Sequence, residues 1–266
     1  KMTIFKEACL NDVCNLKGAP MIFVFDLDGT ICFKGKPLSH EICAALDECV
    51  RIGHEVVFAS ARPIRDLLPV LPKRYYHFRM VGGNGAFIRQ QEQTICTTFD
   101  SDTMTQLKAI VNKYQLTYLF DSDWEYSYTG SLDQPIYQGL DPLNLAENKP
   151  LHELETISKV VLFTDDSEVH QSVSALPVTI FHHHAERLID ISPLSINKAA
   201  GLKELGIHEY IAFGNDQNDL ELFNNAAYSI CVGNHPVSQY VDEITTPEEV
   251  AQKIIQLAQK YKQVHS

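Results

Sequence analysis

No uninterrupted apolar run in this chain of 266 residues comes near the length of about 20 that a helix needs to cross a bilayer, so a membrane span is not expected. No CxxC pair occurs either. The seven cysteines (Cys9, Cys14, Cys32, Cys43, Cys49, Cys96 and Cys231) are scattered and odd in number, which argues against a zinc site. With no signal-peptide pattern at the N-terminus, they read as reduced thiols in a cytoplasmic protein. Basic residues are in deficit: 22 Lys and Arg against 34 Asp and Glu leave a net charge of −12. Nucleic acid calls for a basic surface and is excluded as a partner. A small-molecule phosphate ester is not excluded, because a bound divalent cation can supply the local positive charge. There is no internal repeat and no low-complexity tract.

What is present is ordinary for a globular protein, 45% hydrophobic and 21% charged residues, and the length suits one large domain or two modest ones. The most informative stretch is Phe23-Val24-Phe25-Asp26-Leu27-Asp28-Gly29-Thr30. An apolar run from Met21 to Phe25 reads as a buried strand of a parallel sheet. It stops at two aspartates one residue apart, followed by Gly-Thr. Open α/β sheets bind ligands just beyond the carboxyl ends of strands, and a glycine there lets the backbone fold over a ligand. The pattern suits a cation and phosphate site; an Asp-rich turn after a core strand is the plain alternative.

Further along, Ser39 is a good N-cap for a helix over about residues 40–52, with Ile42, Ala45, Leu46 and Cys49 on its buried face and Gly53 ending it. Residues 55–60 read as the next strand. A second helix follows Ser60-Ala61-Arg62-Pro63 and runs to about Leu71. Strand, helix, strand, helix means a βαβ unit and a parallel sheet. A short strand over 77–81 leads into the turn Gly82-Gly83-Asn84-Gly85-Ala86. Residues 87–186 have an α+β texture. Strands are expected over 94–99, 116–120, 124–128, 158–163 and 178–182, helices over 102–114 and 166–176, and a loop over 130–150. The chain returns to the core over 187–191. A helix opens around Asn197-Lys198, and a strand over 210–213 ends in Gly214-Asn215-Asp216-Gln217-Asn218-Asp219. The last strand spans 228–232, and a final helix runs from Pro247, as its first residue, to about Lys260. Of His182-His183-His184, only His182 and His184 share a strand face. They are candidates for a metal or substrate contact, against a plain strand end.

These motifs, in this order, resemble the haloacid dehalogenase superfamily of phosphohydrolases, Cof-like branch, over roughly residues 21–262. Asp26-Leu27-Asp28-Gly29-Thr30 resembles its first motif, in which the first Asp is the nucleophile and the second the general acid/base. A carboxylate can accept a phosphoryl group, and two carboxylates in different environments can divide those roles. Ala59-Ser60-Ala61-Arg62-Pro63 is similar to the second motif, whose hydroxyl bonds the phosphoryl group. Gly83-Asn84-Gly85-Ala86 resembles the branch's Asn-Gly-Ala signature at the entry to a cap domain. Asn197-Lys198 opens a stretch similar to the third motif, whose Lys pairs with the nucleophile and the phosphate. A Lys in the first turn of a helix otherwise opposes the helix dipole. The fourth motif is usually Gly-Asp-x-x-Asn-Asp; this chain has Asn215 at the first acidic position, with Asp216 beside it.

The resemblance implies a Rossmann-like, doubly wound parallel-sheet core over 21–86 and 187–266 with an inserted α+β cap over 87–186, and an N-terminal leader over 1–20. It implies a Mg²⁺-dependent phosphatase of small phosphorylated metabolites, sugar phosphates first, working through an aspartyl-phosphate. Asp26, Asp28, Ser60 and Lys198 would be catalytic; Gly29, Thr30, Ser60, Ala61 and Lys198 would hold phosphate. Metal ligands would come from Asp26, Asp28, Asn215, Asp216 and Asp219. Substrate contacts are expected among Arg62, Asn84, Asn218, Trp124, Tyr126, Tyr128, His182 and His184. A phosphosugar mutase on the same scaffold and a non-catalytic metabolite-binding protein are the alternatives, the latter favoured only by Asn215.

Overall fold

The computed structural model describes residues 20–183 and 186–262. Almost all of the expected leader, and His184, lie outside the described residues. In chain order the elements begin with β1 (Ile22–Phe25), α1 (His40–Arg51), β2 (Glu55–Ala59), α2 (Ile64–Leu67), β3 (Met80–Gly82), β4 (Phe87–Gln90) and β5 (Gln93–Cys96). Next come α3 (Ser101–Tyr114), β6 (Tyr118–Asp121), β7 (Tyr126–Tyr128), β8 (Lys159–Leu162), α4 (Ser167–Ser174), β9 (Val178–His183) and β10 (Leu188–Pro193). The chain closes with α5 (Lys198–Glu204), β11 (Ile211–Gly214), α6 (Leu220–Asn224), β12 (Tyr228–Val232), β13 (Glu243–Thr245) and α7 (Val250–Lys260). They form two compact units: the residues up to Ala59 together with those from Gly206 onward, and Ser60–Leu205.

The first unit is built on a parallel sheet with strands in the order β13-β12-β11-β1-β2. Phe25 of β1 is level with Phe58 of β2 on one side and Phe213 of β11 on the other. From β1 the chain steps one way to β2, while from β11 it steps the other way through β12 to β13. The winding therefore reverses between β1 and β11, which is the switch point where α/β sheets bind ligands. On α1, the Ser39 side chain accepts the Ile42 N–H at 3.3 Å, and Ile42, Ala45, Leu46 and Cys49 are buried as the helical period requires. Buried Val250, Ile254 and Leu257 line α7, which packs against α1. His54 ties the two ends of the unit: Nδ1 accepts the Met21 N–H (3.1 Å) and Nε2 faces the Ala258 carbonyl (2.8 Å). That pattern requires a neutral ring with its proton on Nε2.

The second unit holds the hairpin set β3-β4-β5, antiparallel throughout. The two residues between β4 and β5, Gln91 and Glu92, both take positive φ (51° and 65°), the signature of a type I′ turn. Its other sheet is antiparallel, in the order β7-β6-β8-β10-β9. Leu107 and Val111 of α3 and Val169 and Val173 of α4 form one buried cluster with Phe120, Val160, Leu162, Ile189 and Ile191 of that sheet. Leu119, Tyr128 and Val161 cluster instead with Leu140, from the loop between β7 and β8. This is the expected α+β texture, and both helices start at an Asp N-cap, Asp100 and Asp166.

Three boundaries differ from expectation. The chain does not leave for the cap at Phe87, since β4 pairs antiparallel with β3 and turns back into β5. Nor does it return at Arg187: β10 is an inner strand of the five-stranded sheet, bonded to β8 and β9. A strand buried on both faces reads alike in either sheet, so periodicity marks the strand and not its partners. Pro247 lies in a turn, and α7 begins at Val250 behind the short strand β13, which was not expected.

Candidate active site

At the carboxyl end of β1 the backbone turns sharply. The Leu27 carbonyl accepts the N–H groups of Thr30 (3.1 Å), Ile31 (3.0 Å) and Cys32 (2.7 Å), and Gly29 sits at φ +81°. The turn separates its two carboxylates. Asp26 is buried, with its own N–H on the Phe213 carbonyl (2.9 Å), and its Oδ2 accepts the Thr30 hydroxyl at 2.9 Å. Asp28, one residue past Leu27, is exposed. One carboxylate is thus fixed and the other faces water.

β11 delivers the fourth motif beside them. Beyond Gly214, the Asn215 terminal amide meets Thr30 Oγ1 (3.1 Å), the Asp28 carbonyl (3.0 Å) and Asp26 Oδ2 (3.2 Å). The Thr30 hydroxyl lies within reach of both Asp26 Oδ2 (2.9 Å) and Asn215 Oδ1 (3.1 Å), so the oxygens of all three side chains gather at one point. A Cβ at Gly29 would lie 2.3 Å from this amide, so position 29 must be glycine for both its φ and its neighbour. Asp216 is exposed and caps the short 3₁₀ turn Gln217–Asp219, with Oδ1 accepting the Gln217 N–H (2.7 Å). Asp219 is fully buried, and its Oδ2 accepts the N–H groups of Asn215 (2.9 Å) and Asp216 (3.1 Å). Asp219 thereby shapes the backbone of the loop that carries Asn215 and Asp216. Gly214 makes room for it, since a Cβ there would lie 2.7 Å from the Asp219 carboxyl carbon. Asn218 is also buried.

Does this end of the sheet suit a hard divalent cation? The Asp26 carboxylate, the Asp28 carbonyl and the Asn215 side chain converge within hydrogen-bond distance, with Asp216 next in the chain. These are oxygen donors carrying one or two negative charges, as magnesium takes when water and phosphate complete its shell. The residues fit. Among the described residues no cluster of three or more His, Cys, Asp or Glu side chains competes for a metal. Of the histidine run, His182 stacks on His170 (centroids 5.0 Å apart) and His183 lies 3.8 Å from Glu186.

In the second unit, Ser60 is buried; its N–H donates to the Val81 carbonyl (2.8 Å) and its Oγ accepts the Arg62 N–H (3.1 Å). The Ser60 and Arg62 carbonyls accept the N–H groups of Asn84 (3.0 Å) and Gly83 (2.8 Å), so the second-motif loop is strapped to the Gly-Gly-Asn-Gly turn. That turn in turn seats α5. Gly85, at φ +113°, packs so closely that a Cβ would lie 2.2 Å from the Asn197 carbonyl oxygen. Asn197 caps the helix through the Ala200 N–H (2.9 Å), and Lys198, its first residue, is fully buried. Sequence reading placed Asn84 among substrate contacts; its side chain is buried and donates to Asp190 Oδ2 (2.9 Å).

Sequence reading missed the buried ions around these loops. Lys159 of β8 bridges Asp190 Oδ2 (2.6 Å) and the Ala61 carbonyl (2.9 Å). Arg65 grips Asp66 with two bonds of 2.8 Å, reaches Asp121 (2.9 Å) and the Trp124 carbonyl (2.8 Å), and lies over the Tyr126 ring. The Trp124 indole donates to the Leu145 carbonyl (2.8 Å), and the Tyr128 hydroxyl bonds Gln134 Oε1 (2.6 Å). A signal did exist, because Lys159, Asp190 and Asp121 interrupt apolar strand runs, where a charge must have a partner.

Residues 23–262 match the haloacid dehalogenase-like hydrolase family. The chain is 23% identical over 255 residues to the 5-amino-6-(5-phospho-D-ribitylamino)uracil phosphatase YitU of Bacillus subtilis, covering 86% of this chain and 93% of that protein. It is 24% identical over 236 residues to the HMP-PP phosphatase of Citrobacter koseri, covering 79% and 83%. The sugar phosphatase BT4131, of subclass IIB of the superfamily, superposes with a TM-score of 0.71 at 17% identity, over 91% of this chain and 98% of that one. A haloacid dehalogenase-like hydrolase from Bacteroides thetaiotaomicron gives 0.73 at 21% identity, over 90% and 100%. These superpositions speak for the fold.

Proposed function

The chain belongs to the haloacid dehalogenase-like hydrolases and is a phosphatase of that superfamily, and we propose that it hydrolyses small phosphorylated metabolites, sugar phosphates foremost, through a phosphoryl group carried on Asp26. The observation that carries this reading is the pair at the end of β1: a buried carboxylate held by Thr30, and an exposed one two residues on. An Asp26 oxygen attacks phosphorus in line and the ester P–O bond breaks, with Asp28 donating its proton to the leaving alkoxide. Asp28 then takes a proton from water as the water oxygen attacks phosphorus, which frees Asp26 and releases inorganic phosphate.

Ser60 and Lys198 are assigned to the phosphoryl oxygens from their place in the motif order. Burial of Lys198 supports its part, since an ammonium out of water requires anionic company. Magnesium, held by the Asp26 carboxylate, the Asp28 carbonyl and an oxygen of Asn215 or Asp216, would supply neutralisation of the phosphate dianion. The substrate class rests on relatives whose names specify a phosphoribityl pyrimidine, HMP-PP and sugar phosphates; Arg62, Asn218, Trp124 and Tyr126 are the side chains assigned to the leaving group.

The test is phosphate release from an aryl phosphate and a sugar-phosphate panel, with magnesium and with chelator, by wild type, Asp26→Asn and Asp28→Asn. Turnover is expected only in wild type with metal. When it proceeds in ¹⁸O water, the released phosphate gains one labelled oxygen. Undiminished turnover by Asp26→Asn would overturn the assignment.

A further inference from the structure

We propose that Asp190 is a positioning residue for both phosphoryl-holding groups: a single buried carboxylate oxygen aims the Ser60 loop through Lys159 and the seat of Lys198 through Asn84. This rests on the reading of Ser60 and Lys198 as the groups that hold the phosphoryl oxygens. Asp190 Oδ2 accepts from the Lys159 ammonium at 2.6 Å and from the Asn84 amide at 2.9 Å. All three residues are 5% exposed or less. Asp190 Oδ1 has no hydrogen-bond partner among the described residues, so both ties meet at one atom. Lys159 and Asp190 stand on β8 and β10, which are bonded to each other inside the five-stranded sheet. A hydrogen bond between charged groups is short, strong and geometrically defined, and this one roots the junction in the sheet.

The two arms reach segments that lie outside the strands. On one side, Lys159 also donates to the Ala61 carbonyl at 2.9 Å, one residue past Ser60. On the other, Asn84 sits in a turn where Gly83, Asn84 and Gly85 take φ of 55°, 55° and 113° in succession. Glycine would suit that backbone better than any side chain, so the asparagine at its centre is explained by what its amide reaches. The turn in its turn carries α5. A Cβ at Gly85 would lie 2.2 Å from the Asn197 carbonyl oxygen, and one at Gly201 would lie 3.1 Å from Gly85 Cα. Contact that close makes Lys198, the first residue of α5, follow the turn. Misplacing a positioned group by about 1 Å can cost on the order of 100-fold in rate. A brace shared by both segments therefore acts on the transferring phosphoryl group without touching it.

Asn84→Gly tests this, because it removes the amide and leaves a residue that adopts the turn's φ without strain. Phosphate release from an aryl phosphate is followed together with thermal unfolding and amide hydrogen exchange of the full chain. The variant is expected to fold, with kcat lowered about tenfold or more and KM moved less than about threefold, the mark of an interaction used in the transition state. Amides of residues 60–66 and 197–202 should exchange faster than in wild type, and those of α3 should not change. Asp190→Asn should lower kcat as well, and the double variant should lose no more than the worse single, since both act through one oxygen. A lower melting temperature with kcat unchanged would overturn the inference and leave Asn84 a structural residue. So would unchanged exchange in either segment, or a double loss equal to the product of the singles. Any of these would leave the phosphatase reading standing, since that is decided by wild-type phosphate release and its loss in Asp26→Asn. The exchange comparison reads the brace without turnover.

Discussion

Lys159→Met should destabilise the second unit by about 3–5 kcal/mol, the cost of breaking a buried ion pair from one side. Lys159 and Asp190 are 5% and 3% exposed, and the ammonium lies 2.6 Å from Asp190 Oδ2. Methionine keeps most of the aliphatic stem and removes only the charge, so packing changes little. Asp190 would retain the Asn84 amide on Oδ2, but its Oδ1 has no hydrogen-bond partner among the described residues to share the load. The Ala61 carbonyl would lose its donor as well. Urea unfolding followed by circular dichroism reads the loss directly, and the melting temperature should fall by about 6–20 °C. Asp190→Asn, which strands the ammonium, should cost a similar amount. The double variant should then be less damaged than the sum of the singles by about 2 kcal/mol or more, since contacting residues are not additive. Additive single effects, or a Lys159→Met loss below about 1 kcal/mol, would refute the claim that this pair clamps the second-motif loop.

Gly29→Ala should cost about 1–2 kcal/mol from its φ of +81° alone, and more because the new Cβ strikes Asn215; denaturation with and without magnesium measures both parts. Gly85→Ala, at φ +113° and 2.2 Å from the Asn197 carbonyl, should displace the start of α5 and depress phosphate release together with stability, whereas a stability loss with unchanged turnover would separate the turn from Lys198. Burial pushes the Cys49 thiol up to about 12, so native iodoacetamide labelling at mildly alkaline pH should leave it unmodified while half-exposed Cys96 is labelled; peptide mass spectrometry reads both. Burial raises Asp121 above the ordinary carboxylate range against the pull of Arg65, which it shares with Asp66. A raised acid binds its proton more tightly folded than unfolded, so its contribution declines as pH rises from about 4 to its folded value. Asp121→Asn should flatten that part of the stability–pH curve, and an unchanged slope would contradict the assignment.

The elements were legible where one period dominated. Ser39, Ile42, Ala45, Leu46 and Cys49 announced α1 and its buried face, and the apolar run before Asp26 announced β1. Domain limits were less legible for a physical reason. Leu188–Pro193 is buried along nearly its whole length, Asp190 and Ser192 included, and a strand buried on both faces can sit in a parallel core or in the middle of an antiparallel sheet. Similarly, Phe87–Gln90 carries no mark saying that Gln91 and Glu92, neither of them a favoured type I′ residue, will turn it back on itself.

The carboxylates at the end of β1 were more legible than the ions that brace the loops, and register explains the difference. In a parallel sheet the ends of adjacent strands are level, so Phe25 beside Phe213 places the first residues past β1 next to the first past β11. Asp26, Asp28 and Asn215 could therefore be grouped by counting along two strands. Lys159 and Asp190 lie on strands that neighbour each other out of sequence order in an antiparallel sheet, and counting does not pair them until the topology is known.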